Sequence, residues 1–119
     1  MERVRFIQHK GKEILFLDFS QCKPDEALAV IEQSKAVIRK KPEHSLLTLT
    51  DVTDLRFNDT LSHQMKEFTA HNKPYVRAAA VVGITGLKKI LFGAVIAFSK
   101  RKIHAFDSIE QAKEWLVSN

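Results

Sequence analysis

The sequence predicts an α/β fold with a mixed, mostly parallel five-stranded sheet and four helices, in the order β-β-α-β-α-β-α-β-α. Two strand-like segments at the N-terminus are separated by a short glycine-containing turn, which is typical of a β-hairpin. Three further apolar, strand-like segments then alternate with stretches of helical periodicity, as in parallel β-α-β units. The length of 119 residues and the lack of a Gly/Ser/Pro-rich linker predict a single domain over residues 1–119.

The N-terminal third is predicted to form the hairpin and a covering helix. Strands are expected over Arg3–Gln8 and Glu13–Phe19, and the second is apolar on both faces, which indicates a position inside the sheet. Pro24 suits a first helical position, and the helix is expected to run to about Lys40, before Pro42. Its buried face follows the helical spacing of Ala27, Val30, Ile31, Ser34, Val37 and Ile38.

The remaining elements continue the alternation of strand and helix. A third strand is predicted over Ser45–Thr50, and Asn58 is a suitable N-cap for a second helix that ends near Asn72. The core stripe of that helix is Leu61, Met65 and Phe68. Next come a fourth strand over Arg77–Ile84, a third helix from Thr85 or Gly86 to about Ser99, a fifth strand over Ile103–Phe106 and a last helix capped by Asp107 or Ser108.

Charge is distributed unevenly along the chain. The formal charge is +5, from 19 Lys and Arg against 14 Asp and Glu. Residues 68–106 hold seven of the basic residues and no acidic residue, so the rest has 12 basic against 14 acidic. Basic residues without interleaved exposed aromatic residues do not indicate nucleic-acid binding. This third of the chain is therefore predicted to bind an anionic partner of another kind.

Location is predicted from cysteine use and hydropathy. Cys22 is the single cysteine, which excludes an intrachain disulfide and fits a reducing compartment. The N-terminus lacks the apolar region of a signal peptide. The apolar run Ile90–Phe98, even when it is extended back to Leu87, would give about 18 Å of helix at about 1.5 Å per residue. This length is too short to span a bilayer. We expect a cytoplasmic protein without a transmembrane span, for which peripheral membrane contact remains open.

The segment between the fourth strand and the third helix is a candidate anion site. Gly83, Thr85, Gly86, Lys88 and Lys89 combine a turn, free backbone N–H groups and positive charge at a helix N-terminus. The spacing matches no nucleotide-binding motif. The alternative is a tight corner in which the glycines permit the turn and the threonine caps the helix.

The third helix is apolar on two sides. The broader apolar face, expected to meet the sheet, comprises Leu87, Ile90, Leu91, Ala94, Val95 and Phe98. Phe92 and Ile96 fall on the far side, bracketed by Lys88, Lys89 and Lys100. Either another part of the fold or a second subunit buries them as core, or they form a surface for a lipid, an anionic membrane or a protein partner.

The loop after the third strand carries two carboxylates around a hydroxyl. Asp51, Thr53 and Asp54 could bind a divalent cation, act on a substrate or form Asx-type turns. An enzyme using these three residues with Lys88 on a phosphate-containing substrate is one alternative. The histidines show no chelating spacing and no catalytic triad pattern is present, so neither a metal nor another cofactor is expected.

Three segments resemble the STAS domain of bacterial anti-sigma-factor antagonists, in its SpoIIAA-like or STAS/SEC14-like branch. They are Leu49–Thr53 after the third strand, Ala80–Gly83 with Thr85–Lys89 after the fourth, and Phe106–Leu116, and the resemblance covers nearly all of the chain. In antagonist domains an Asp-Ser-Ser-Gly-like motif after the third strand carries a phosphorylated serine. This chain has Asp-Val-Thr-Asp there, which makes Thr53 the candidate phospho-acceptor. The SEC14-like comparison implies an apolar ligand beside the sheet, under a helix that can swing.

Together these observations predict a non-enzymatic regulatory or binding module. We expect it to engage a protein partner or a lipid-like, anionic ligand through the Thr85–Arg101 helix and the Asp51–Asp59 loop. The alternatives are the enzyme described above and a structural homodimer with the third helix as its interface.

Overall fold

A computed structural model describes residues 2–86, 88–99 and 103–119. Within the third helix it describes the side chains of residues 89, 90, 92, 93, 94 and 97. The elements are β1 (Val4–His9), β2 (Lys12–Asp18), α1 (Pro24–Ile38), β3 (Leu46–Asp51), α2 (Asp59–Asn72), β4 (Val76–Val82), α3 (Lys88–Ser99), β5 (Ile103–Phe106) and α4 (Ile109–Val117).

The five strands form one mixed sheet in the order β1-β2-β3-β4-β5, which confirms the predicted fold class. The β1–β2 pair is antiparallel and the other three pairs are parallel. Lys10 and Gly11 in the hairpin turn both have positive φ, at 49° and 80°, as a two-residue turn of the mirror-image type requires. As predicted, β2 lies inside the sheet, with Ile14–Leu17 buried on both faces.

Helices cover the two faces of the sheet unequally. Because successive parallel crossovers of one hand place their helices on one side, α1, α2 and α3 share a face. The larger core cluster lies there and joins Leu15, Leu17 and Val81 of the sheet to the three helices. The predicted core stripes of α1 and α2 are confirmed, with Val37 only partly buried. On the other face α4 packs Ala112 and Leu116 against the smaller cluster.

Side-chain caps begin α2 and α4 as predicted. The Asn58 side chain accepts a 2.8 Å hydrogen bond from the Leu61 N–H. Of the two residues proposed to cap α4, Ser108 does so, and its hydroxyl accepts from the Gln111 N–H at 3.2 Å. Each cap satisfies a backbone donor that the first helical turn leaves free.

The boundaries around α3 differ from the prediction. β4 ends at Val82 rather than Ile84, and α3 begins at Lys88 rather than at Thr85 or Gly86. Gly83 and Gly86 have φ values of 89° and 56°, which neither a strand nor a right-handed helix admits. The two glycines therefore lengthen the connection between β4 and α3.

Candidate functional site

Gly83 joins two of the predicted candidate segments, the connection before α3 and the loop after β3. Its backbone lies directly against Thr53: a Cβ added to Gly83 would be only 2.7 Å from the Thr53 Cα. Backbone pairing supports the same contact, because the Val52 N–H donates to the Val82 carbonyl at 2.9 Å. The β3–α2 loop and the β4–α3 connection thus meet at the carboxyl ends of neighbouring parallel strands, where ligands commonly bind in α/β folds.

Asp51 and Thr53 form a closed turn within this contact. Asp51 Oδ1 accepts hydrogen bonds from the Thr53 backbone N–H at 2.9 Å and from the Thr53 hydroxyl at 2.7 Å. This is the turn geometry that the sequence analysis gave as one of three alternatives. The Thr53 side chain is nevertheless exposed.

Asp54 takes a different direction from Thr53. It has a φ of 57° and lines a groove with Gln21, Lys23 and Arg56, on the side of the loop that faces the start of α1. The Lys88 side chain lies outside the described residues. The described side chains of the proposed enzyme site therefore do not converge. Asp51 and Thr53 are hydrogen-bonded to each other, whereas Asp54 lines a separate groove.

The connection before α3 is open to solvent. Thr85, Gly86 and Lys89 are exposed, and the Lys89 N–H donates to the Gly86 carbonyl at 3.1 Å, which closes the first turn. Gly83 is partly buried against Thr53. Of the five residues proposed as an anion site, Lys89 is the cation whose position is described, and it lies at the exposed start of α3.

Of the two alternatives for the far side of α3, burial as core is confirmed for Phe92, whereas the side expected to meet the sheet is wrong where it is described. Phe92, placed by the helical wheel on the outer side, is only 7% exposed, and its ring packs edge-on against Phe57 at a centroid distance of 5.8 Å. Ile90, placed on the sheet side, is 72% exposed. Because α3 contacts α2 more extensively than the sheet, the large Phe92 ring is buried between helices while the smaller residues face outward. The Ile96 side chain and Lys100 lie outside the described residues.

An apolar surface remains on the outer side of α3. It comprises Ile90, Gly93, Ala94 and Ala97, all exposed and spaced along one helical face, and Lys89 adjoins it. We call these four residues the outer α3 face. Sequence reasoning missed it as a surface, although its signal was present, because a helix with two apolar sides does not reveal from sequence which side faces the core.

Two spaces adjoin α3. A buried cavity of about 40 Å³ lies between α2, α3 and the sheet, where Met65, Phe68, Phe92 and Ile103 supply apolar walls and Thr48 a polar one. It has room for water but not for an acyl chain.

The second space is open. It is a groove of about 400 Å³ beside the start of α3, lined by Ile84, Lys89, Gly93, Phe106 and Asp107. An ammonium group and a carboxylate at an apolar groove give it the character of a site for a small amphipathic group.

The Cys22 thiol and the metal-binding types of side chain were each considered as a possible site. Burial raises the pKa of the Cys22 thiol, which keeps it protonated and unreactive. Within the same described ranges, no group of three or more His, Cys, Asp and Glu side chains is arranged to hold a metal ion.

Neither the search for membrane-spanning helices nor the comparison with known proteins assigns a function to this site. None of the helices among the described residues is long and apolar enough to cross a membrane. No protein-family model, curated protein or solved structure matches the chain.

Proposed function

We propose that this chain is a non-enzymatic, STAS-like binding module that uses the outer α3 face to engage an anionic lipid surface. One observation carries the proposal: Ile90 is 72% exposed in the first turn of α3, on a helical face whose described residues are all apolar. Phe6 and Ile90 are the large apolar residues that are exposed in the described part of the chain, and Phe6 lies on the far edge of the sheet.

Charge around α3 supports an anionic partner. Lys89 is exposed beside the outer α3 face, and Lys73 and Arg77 are exposed at the amino end of β4. The sequence adds Lys88 before Ile90 and three consecutive basic residues at 100–102 after the helix, with no acidic residue between residues 68 and 106. An apolar helical face flanked by cations is the composition of helices that lie in the headgroup region of anionic bilayers.

The small size of the inner cavity favours engagement at the surface. At about 40 Å³, the space beneath Phe92 holds no acyl chain in this conformation. Access for an internal apolar ligand would require Phe92 to leave its contact with Phe57. The outer α3 face, by contrast, needs no rearrangement to meet a lipid surface.

Vesicle sedimentation tests the proposal. The wild-type protein should sediment with phosphatidylglycerol vesicles and much less with phosphatidylcholine vesicles, and added salt should weaken binding because it screens the lysines. Ile90→Glu and Lys89→Glu should each reduce binding. Lys40→Glu is the matched control, since it makes the same charge change on an exposed lysine that follows α1, between β2 and β3, whereas α3 lies between β4 and β5.

Circular dichroism should show that all the variants fold, because the substituted side chains are exposed. Equal binding to the two kinds of vesicle would exclude an anionic lipid surface as the partner, and wild-type binding by Ile90→Glu would exclude the outer α3 face as the contact. Sedimentation velocity of the same proteins examines the alternative of a homodimer through α3. A wild-type dimer that Ile90→Glu dissociates would assign the outer α3 face to a second copy instead.

A further inference from the structure

The outer edge of β1 presents unpaired backbone groups. β1 pairs with β2 on one side, and none of the described residues pairs with it on the other. Arg3 and Asp18 are opposite residues joined by a hydrogen bond, at 2.7 Å from the Asp18 N–H to the Arg3 carbonyl. Because bonded and non-bonded pairs alternate in an antiparallel ladder, the N–H and C=O groups of Val4, Phe6 and Gln8 point away from β2. An added strand has these donors and acceptors available.

Side chains beside this edge offer apolar contacts on the α1 side of the sheet. Val4 packs against the core cluster on that side, and Phe6, two residues on, is 36% exposed. A groove of about 710 Å³ between β1 and α1 continues this surface; Val4, Ala29 and Val37 supply apolar walls, and Glu2 and Glu26 line its polar part. Every second side chain of an added strand would enter this groove or cover the Phe6 ring.

Cations surround the same edge. Lys41 Nζ lies 4.5 Å from the centre of the Phe6 ring, and the Arg5 guanidinium lies 4.7 Å from the centre of the Phe16 ring on the opposite face of the sheet. Arg3 and Lys10 already pair with Asp18 and Glu114, whereas Arg5 and Lys41 make no ion pair with the described residues. A second copy of this chain would bring the same cations together across the new pair, which opposes self-pairing. Carboxylates on an added strand would meet these cations favourably.

We infer that β1 is a docking edge for an extended acidic peptide, which adds to the sheet as an antiparallel strand. Its apolar side chains face α1 and Phe6, and its carboxylates alternate with them on the face of Arg5. This mode of recognition takes affinity from main-chain hydrogen bonds and selectivity from alternate side chains. It is independent of α3, which connects β4 to β5 near the other edge of the sheet.

Synthetic peptides provide the test. The probe is a short acetylated and amidated peptide in which valine and glutamate alternate. Its controls are the same peptide with lysine for glutamate, and the same peptide with N-methylated valines. In antiparallel pairing the valine N–H groups bond to Val4, Phe6 and Gln8, so N-methylation removes those bonds without changing the side chains. We expect the glutamate peptide to bind about tenfold more tightly than the lysine peptide, and the N-methylated peptide not to bind.

Amide NMR spectra locate the binding. The largest shifts should fall on the outward amides of Val4, Phe6 and Gln8. Arg5→Glu should shift the preference toward the lysine peptide, and Gln8→Pro should weaken binding, since it removes an outward N–H and leaves the β2 ladder intact. Ile90→Glu should leave peptide binding unchanged, so failure here and failure of the lipid proposal are distinguishable.

Three results would overturn the inference. Equal affinity for the glutamate and lysine peptides would remove the charge argument, and undiminished binding of the N-methylated peptide would exclude strand addition. A concentration-dependent dimer that protects the Phe6 and Gln8 amides would assign the edge to a second copy.

Discussion

Replacing Gly83 by alanine should destabilise the fold more than the same change at any other glycine, because two separate costs combine there. The φ of 89° costs an L-residue about 1 to 2 kcal/mol. The new methyl group would also overlap the Thr53 backbone, and overpacking of this kind costs about 1 to 3 kcal/mol. Together they predict a loss of about 2 to 5 kcal/mol in the free energy of unfolding.

Chemical denaturation of alanine variants at two other glycines distinguishes the cost of the positive φ from the cost of the steric overlap. Gly11→Ala carries the positive φ of 80° without a neighbour within 4 Å, so it should lose about 1 to 2 kcal/mol. Gly93→Ala, at an exposed helical position with no nearby atom, should gain up to about 1 kcal/mol. If Gly83→Ala costs no more than Gly11→Ala, the close approach to Thr53 contributes nothing and the account of this corner is wrong.

Two more predictions concern packing and pH. Phe92→Ala should cost about 3 to 5 kcal/mol in the free energy of unfolding because it empties a buried site, whereas Ile90→Ala should change it by less than about 0.5 kcal/mol; similar losses would contradict the orientation of α3. Hydrogen bonds from Lys10, at 2.7 Å, and then from His9 lower the pKa of Glu114 below its ordinary value of 4.5. The stability contributed by this carboxylate is therefore present above pH 4.5 and lost as pH falls through the lowered pKa. A denaturation series should show Glu114→Gln less stable than wild type near neutral pH and equal to it in acid, while an unchanged gap would refute the assignment.

The pattern of local residues was sufficient to predict the order and type of the elements. Strand β2 is apolar on both faces because neighbouring strands and two helical layers cover it, and its sequence already shows this. Asn58 was recognisable as a cap because the bond it makes, to the N–H of Leu61, spans three residues. Such interactions depend on neighbours along the chain.

The element boundaries and the contacts at the candidate site were harder to predict from the sequence. The positive φ of Gly83 and Gly86 moves the start of α3, yet glycine in a sequence permits such values without requiring them. The contact between Gly83 and Thr53 joins segments thirty residues apart, so no local pattern indicates it. The sequence predicted that the third-helix segment and the Asp51–Asp59 loop serve one binding surface, but not the backbone contact through which Gly83 and Thr53 meet.

The sequence by itself determined the α/β class, the strand and helix order, and the concentration of positive charge between residues 68 and 106. Tertiary packing alone decided which side of α3 is surface. Both sides of that helix are apolar, and the side carrying Phe92 is buried because Phe57 and the α2 layer receive its ring. Ile90 is left outside for the same reason, since a helix resting on one neighbour can bury only one of two apolar faces.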